Sequence, residues 1–131
     1  MIVLDTNAWI WWTSDPSRLT PKVRRAIAME EGGYGLVVSA ISVWEVAVKT
    51  SLGKLALDRD IRTWISLACS YPGIVVQPLE PQDALESTLL PGTFHKDPAD
   101  RMIIALARRL NVALVTSDAA IRAYKHVKTI W

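Results

Sequence analysis

The sequence predicts an α/β fold: a sandwich of helices around a short, mainly parallel sheet. Two observations carry this expectation. The runs Ile2–Leu4, Leu36–Val38, Ile74–Val76 and Ala113–Val115 are short and continuously apolar, the pattern of parallel strands buried on both faces. Segments with helical spacing lie between them, so the connections are right-handed crossovers. Ligands of such sheets bind beyond the carboxyl ends of the strands, and that edge is where chemistry is sought.

The elements follow in order. The first strand, Ile2–Leu4, ends at Asp5, and Thr6-Asn7 begin a helix carrying Trp9, Trp11 and Trp12 that closes at Pro16. Pro21 opens a second helix to about Glu31, ended by Gly32-Gly33. After the strand Leu36–Val38, Ser39 or Ser42 caps a third helix that reaches about Leu52 and stops at Gly53. Asp58 or Asp60 caps a fourth helix through Cys69, and Pro72-Gly73 turns the chain into the strand Ile74–Val76. Pro81 opens a helix to about Leu90, and a polar loop runs from Pro91 to Lys96. Ala99–Leu110 has the clearest helical pattern. The strand Ala113–Val115, a short helix Ala119–Tyr124 and a last strand around Val127–Ile130 complete the chain.

Composition bounds the function. With 131 residues, half of them hydrophobic, 21% charged, and only 6 Gly and 7 Pro, the chain is one ordered domain over residues 1–131 with its own core. The single Cys69 excludes a disulfide framework and a Cys-rich zinc site, and it suits a reducing cytosol. The apolar run Ala8–Trp12 is too short to span a membrane and lacks the flanks of a signal peptide. A cytoplasmic protein without membrane attachment is expected. The net charge of +2 is too small to announce a nucleic-acid binder. Setting four carboxylates aside leaves 15 basic residues against 9 acidic ones, a surface of about +6 that suits a polyanion.

Those four carboxylates are Asp5, Glu45, Asp100 and Asp118. Asp5 and Asp118 follow the first and fourth strands, so parallel strands bring them to one edge. Each also begins a helix, where an Asp commonly caps. Asp58 and Asp60 follow no strand and are assigned capping alone. Glu45 lies mid-helix beside Ile41, Val48 and Leu52. A carboxylate there costs free energy unless it is paired or bound to a cation, and Lys49, four residues on, is the alternative partner. Asp97 precedes Pro98 and reads as a helix cap. Asp100, in the first turn, is therefore preferred as the ligand, with a capping-box role as its alternative. Four converging acids repel, and a hard divalent cation relieves the repulsion. Oxygen ligands without Cys or His select Mg²⁺ or Mn²⁺ over zinc. His95 and His126 lack metal-ligand spacing and are read as surface or hydrogen-bonding groups. Thr6 and Thr116 are read mainly as capping and turn residues, while Asn7 and Ser117 flank the acids as possible positioners of water or phosphate.

The ordered set Ile2-Val3-Leu4-Asp5-Thr6-Asn7, Ser42-Val43-Trp44-Glu45, Asp97-Pro98-Ala99-Asp100-Arg101-Met102-Ile103-Ile104-Ala105 and Val115-Thr116-Ser117-Asp118 resembles PIN domains. Its order and spacing are similar to the VapC toxins of type II toxin–antitoxin systems, over essentially the whole chain. The resemblance implies a PIN-like three-layer α/β/α sandwich and Mg²⁺-dependent endoribonuclease activity. It also implies inhibition by a VapB-type antitoxin and a homodimer. Position by position, the family's acidic quartet falls on Asp5, Glu45, Asp100 and Asp118, with Asp97 and Arg101 as assisting members of the Asp-Pro-x-Asp-Arg pattern. Two other readings compete. A non-catalytic PIN-like module that binds RNA or protein is opposed by the intact quartet. A phosphatase or receiver-like domain is opposed by the lack of an Asp-x-Asp after the first strand. Finally, Trp9, Trp11 and Trp12 stand about 100° apart on their helix, so at least one is expected to be exposed and to anchor an antitoxin or a second protomer.

Overall fold

A computed structural model describes residues 1–131. Five parallel strands, β1 (Ile2–Leu4), β2 (Leu36–Ser39), β3 (Ile74–Gln77), β4 (Leu114–Val115) and β5 (Thr129–Ile130), lie in the order β3-β2-β1-β4-β5. Seven helices join them: α1 (Thr6–Ser14), α2 (Pro21–Glu31), α3 (Ala40–Ser51), α4 (Ile61–Cys69), α5 (Pro81–Thr88), α6 (Pro98–Leu110) and α7 (Ala119–Ala123). A single 3-10 turn, Pro16–Arg18, follows α1. No helix is long and apolar enough to cross a membrane.

The sheet separates two cores because successive side chains of a strand point to opposite faces. Ile2, Leu4, Leu36, Val38 and Val115 join Trp9, Val23, Ile27, Val46 and Trp64 on one side. Val3, Val37 and Leu114 join Leu90, Ile103, Ile104, Ala107, Ile121 and Tyr124 on the other. The result is the three-layer α/β/α sandwich: α1, α2 and α4 cover one face, α6 and α7 the other.

Local chemistry sets the helix starts. Asp5, Thr20, Ser39, Asp60, Asp97 and Asp118 each accept a backbone N–H as N-caps, and Pro opens α2, α5 and α6 at a position whose N–H needs no partner. The open choices resolve to Ser39 over Ser42 and Asp60 over Asp58. Asp58 instead pairs with Arg59 at the surface. Helix α6 ends where Asn111 adopts the left-handed conformation, φ 53°, that an Asn tolerates.

Two details depart from expectation. The last strand spans only Thr129–Ile130, since only these residues lie in register with β4. The α1 tryptophans also differ: Trp9 is buried, and Trp11 and Trp12 are half-buried against other rings. Trp9 is fully buried with its ring 5.2 Å from Trp64, Trp11 packs against Trp131 with the Arg18 guanidinium over it, and Trp12 packs against Tyr71. No α1 ring stands exposed, which removes the basis for assigning α1 an interface. The exposed tryptophan is Trp44 on α3, 58% accessible.

One buried ion pair joins α5 to α6. Asp83, 2% exposed, takes two hydrogen bonds from Arg109, at 2.6 and 3.0 Å. A paired fork of this kind satisfies a carboxylate that the surrounding helices have stripped of water.

Candidate active site

Strands β1 and β4 are neighbours, with Leu4 opposite Val115. From β1 the chain goes to β2 on one side and reaches β4 on the other, so the carboxyl ends of β1 and β4 bracket the switch point of the sheet. Asp5 and Asp118 follow those two ends. Glu45 comes from α3, which leaves β2 at the same edge, and Asp100 comes from the first turn of α6.

The four acids share one electrostatic neighbourhood. Burial pushes Asp5 up to about 6, against hydrogen bonds from the Thr116 hydroxyl and the Ala8 N–H, and the charges of Glu45 and Asp118 add to the rise. Asp100 is raised to about 7, by burial first and then by Asp97, Glu45, Asp118 and Asp5. Repulsion among acids drawn from residues 5 to 118 registers on a single carboxyl only if the chain brings them together.

Each acid has a local partner. Asp5 Oδ1 accepts the Ala8 N–H at 2.8 Å, and Asp118 Oδ1 accepts the Ile121 N–H at 2.9 Å. Each cap uses one carboxylate oxygen, so capping and ligation do not compete. Glu45 Oε1 accepts a short hydrogen bond from the Thr6 hydroxyl, while Lys49 Nζ stands 3.8 Å from Oε2. The Thr6 oxygen is also 2.8 Å from that of Ser42. Thr6 has one proton and gives it to the carboxylate, so Ser42 donates to Thr6.

Asp100 does not form a capping box. The Asp97 N–H donates to His95 Nδ1 at 3.3 Å, and His95 Nε2 lies 3.4 Å from Asp100 Oδ2. An accepting Nδ1 leaves the neutral ring's proton on Nε2, facing Asp100. Asp97 itself caps α6, accepting the Asp100 N–H at 3.0 Å. Arg101 is turned away from the acids: its guanidinium donates to the carbonyls of Ser87, Phe94 and His95. Its part is to pin the loop that carries His95. Asn7 is exposed in the first turn of α1, and Ser117 is half-buried between Thr116 and Asp118.

Sequence reasoning missed three supporting groups. Thr6 and Thr116, read as caps and turn formers, hold Glu45 and Asp5. Thr116 also accepts the Asp118 N–H at 3.1 Å. His95, expected as a surface or hydrogen-bonding group, is the bridge between Asp97 and Asp100. Its position two residues before the Asp97 cap was the available signal, since side chains reach backbone N–H groups at that offset.

No three of these carboxylates stand in ready-made coordination geometry. The donor chemistry nevertheless fits a hard divalent cation. The ligands are all oxygen, two of them are raised by burial and mutual repulsion, and both nitrogens of the one nearby His are engaged. Thr6→Val keeps the shape and removes the hydroxyl that aims Glu45. Calorimetry with Mn²⁺ is expected to show about 10- to 100-fold weaker binding, the usual cost of losing an outer partner of a ligand.

A switch-point cluster of carboxylates on a short parallel sheet defines a class. The chain belongs to the PIN domain family, whose pattern matches residues 2–127. It is 31% identical to Ribonuclease VapC22 of Mycobacterium tuberculosis (strain ATCC 25618 / H37Rv) over 132 residues, covering 99% of this chain and 98% of that protein. Solved structures share the fold. The complex of VapBC2 from Rickettsia felis with a DNA fragment from its promoter has a chain that superposes with a TM-score of 0.71 at 14% identity, over 99% of this chain and 98% of that one. FitAcB from Neisseria gonorrhoeae has a chain that superposes with a TM-score of 0.65 at 20% identity, over 100% and 97%.

Proposed function

We propose that the chain is a divalent-metal-dependent endoribonuclease, the toxin of a type II toxin–antitoxin pair. Its partners are RNA, a VapB-type antitoxin and a second copy of the chain. One observation carries the reading: Asp5, Glu45, Asp100 and Asp118 come from the same edge of the sheet, near enough for their charges to act on one another, and Asp5 and Asp100 are pushed above the ordinary carboxylate pKa range. Membership of the PIN family and the likeness to a ribonuclease VapC support RNA as the substrate. The likeness to a VapBC complex supports the antitoxin.

Asp5, Glu45, Asp100 and Asp118 would hold Mg²⁺ or Mn²⁺, which when bound would lower the pKa of a water and neutralise phosphate oxygens. The chain supplies the rest. Asp5, buried and fixed by Thr116 and the Ala8 N–H, sets the floor of the site. Thr6 aims Glu45 inward. Asp118 stands at the N-cap of α7 and Asp100 in the first turn of α6, where His95 Nε2 faces it. Asn7 and Ser117 stand beside Asp5 and Asp118, placed to orient water or phosphate.

The test is cleavage of a defined RNA with product-end analysis. Activity is expected to vanish in EDTA, to return with Mg²⁺ or Mn²⁺, and to leave 5′-phosphate and 3′-hydroxyl ends. Rates are expected to rise with pH through neutrality, as they would if the base were a water whose pKa a bound metal lowers rather than His95, which is held between Asp97 and Asp100. Undiminished cleavage in chelator, or 2′,3′-cyclic phosphate products, would exclude this mechanism. Calorimetry showing no divalent-ion binding would favour a PIN-like module that binds RNA or protein without cutting it. The lack of ready-made coordination geometry is the observation on that side.

A further inference from the structure

The molecule has a second chemically distinct feature, on the α6–α7 side of the sheet. Four rings stand in a row from the acidic centre outward: His95, Phe94, Tyr124 and His126, with successive centroids 4.0, 5.0 and 5.3 Å apart. The row is fastened at two points. The Tyr124 hydroxyl donates to the Pro91 carbonyl, and the Arg108 guanidinium donates to the His126 carbonyl. Gly92 turns the loop beside the far ring with a positive φ of +69°, a conformation that favours glycine. Two shallow hollows flank the row. One, about 280 Å³, holds Phe94 and Tyr124. The other, about 450 Å³, is walled by Arg108, Lys125 and Lys128. Lys125 and His126 belong to both, and neither is lined by an Asp or a Glu.

We infer that this trough is the seat of the RNA flank on one side of the scissile phosphate, with its phosphates in the Arg108–Lys125–Lys128 cleft. The inference rests on the ribonuclease reading and deepens it. Three exposed cations without an acid among them are the complement of a phosphodiester chain. The half-buried rings of Phe94, His95 and His126, backed by the buried Tyr124, stand beside cations, the combination by which grooves take single strands without reading sequence. The trough also begins at the right place, because its first ring is the His95 that touches Asp100. A strand lying along it therefore reaches the acidic centre without crossing the sheet.

The test compares single-stranded RNA binding by Asp5→Asn chains, so that nothing is cut, with and without Lys125→Glu plus Lys128→Glu. Both lysines are exposed and bear no packing role, and circular dichroism checks the fold. The charge reversals are expected to weaken RNA binding at least about tenfold and to flatten the slope of log K against log salt by about 1.4, for two phosphate contacts. In chains that keep Asp5, the two charge reversals are expected to leave Mn²⁺ affinity unchanged. An unaltered salt slope in a chain that binds RNA overturns the inference and leaves the ribonuclease reading standing. Loss of binding to a poly-glutamate peptide with an unaltered RNA slope also overturns it, and makes the cleft a site for an acidic protein. If the chain with both lysines intact binds no RNA, the ribonuclease reading falls and the inference falls with it.

Discussion

Asp5→Asn is expected to abolish RNA cleavage, by at least about 100-fold, and at the same time to stabilise the metal-free chain above neutral pH. The two effects have one cause. Asp5 is buried beside Glu45 and Asp118, and its folded pKa stands at about 6 against an ordinary 3.8. Between those values the folded chain holds a proton that the unfolded chain has released, so stability falls as pH rises through the window. Above it the deficit is complete, at about 3 kcal/mol for a shift of this size. An Asn keeps the cap on α1 and carries no charge. Thermal melts in EDTA should therefore show the variant several degrees more stable at pH 8 and level with the parent near pH 4. A divalent ion should raise the melting temperature of the parent at pH 8 and leave the variant almost unmoved. Equal melting temperatures of the two chains across the whole range would mean that the buried charge carries no such cost.

Arg109→Ala is expected to cost about 3 kcal/mol, because it strands a buried carboxylate. The two ends of the pair are unequal: the Asp83 side chain is 3% exposed and that of Arg109 is 26%. Removing Asp83 leaves a guanidinium that can turn to water. Removing Arg109 leaves an anion that cannot. Asp83→Ala should therefore cost less, and adding Asp83→Asn to Arg109→Ala should recover part of the loss. Urea titrations of the three variants give the comparison directly. A loss of about 3 kcal/mol matters for a domain whose whole stability is on the order of 5–15 kcal/mol.

Much of this molecule was legible because local rules act over a few residues. Continuous apolar runs located β1, β2, β3 and β4 to within a residue. Prolines and capping groups marked where α2, α4 and α6 start. Asp5 and Asp118 could be placed at one edge because parallel strands leave no other choice. Glu45 was flagged by the cost of a charge beside an apolar stripe, and both the Lys49 partner and a closer one, Thr6, are present.

What escaped depends on contacts between distant segments. The pairing of Asp83 with Arg109 spans 26 residues and two helices. The ring row joins a loop before α6 to the chain after α7. His95 turns to Asp97 and Asp100 because Arg101 anchors its loop to three carbonyls, and no periodicity encodes that. The α1 tryptophans failed differently. Helix geometry rightly excluded one narrow buried face, but Trp131, Tyr71 and Arg18 arrive from elsewhere to cover what it leaves.

The sheet order has a consequence for the chain during its own synthesis. β1 is the central strand, yet its partner β4 lies more than a hundred residues later, and β5 pairs beyond that. A nascent polypeptide carries Asp5 and Glu45 long before Asp100 and Asp118 have been translated, with one edge of β1 waiting open. On the proposed reading of the four acids, translation and chemistry are kept apart in time, because the acidic edge is complete only once nearly all of the chain has been made.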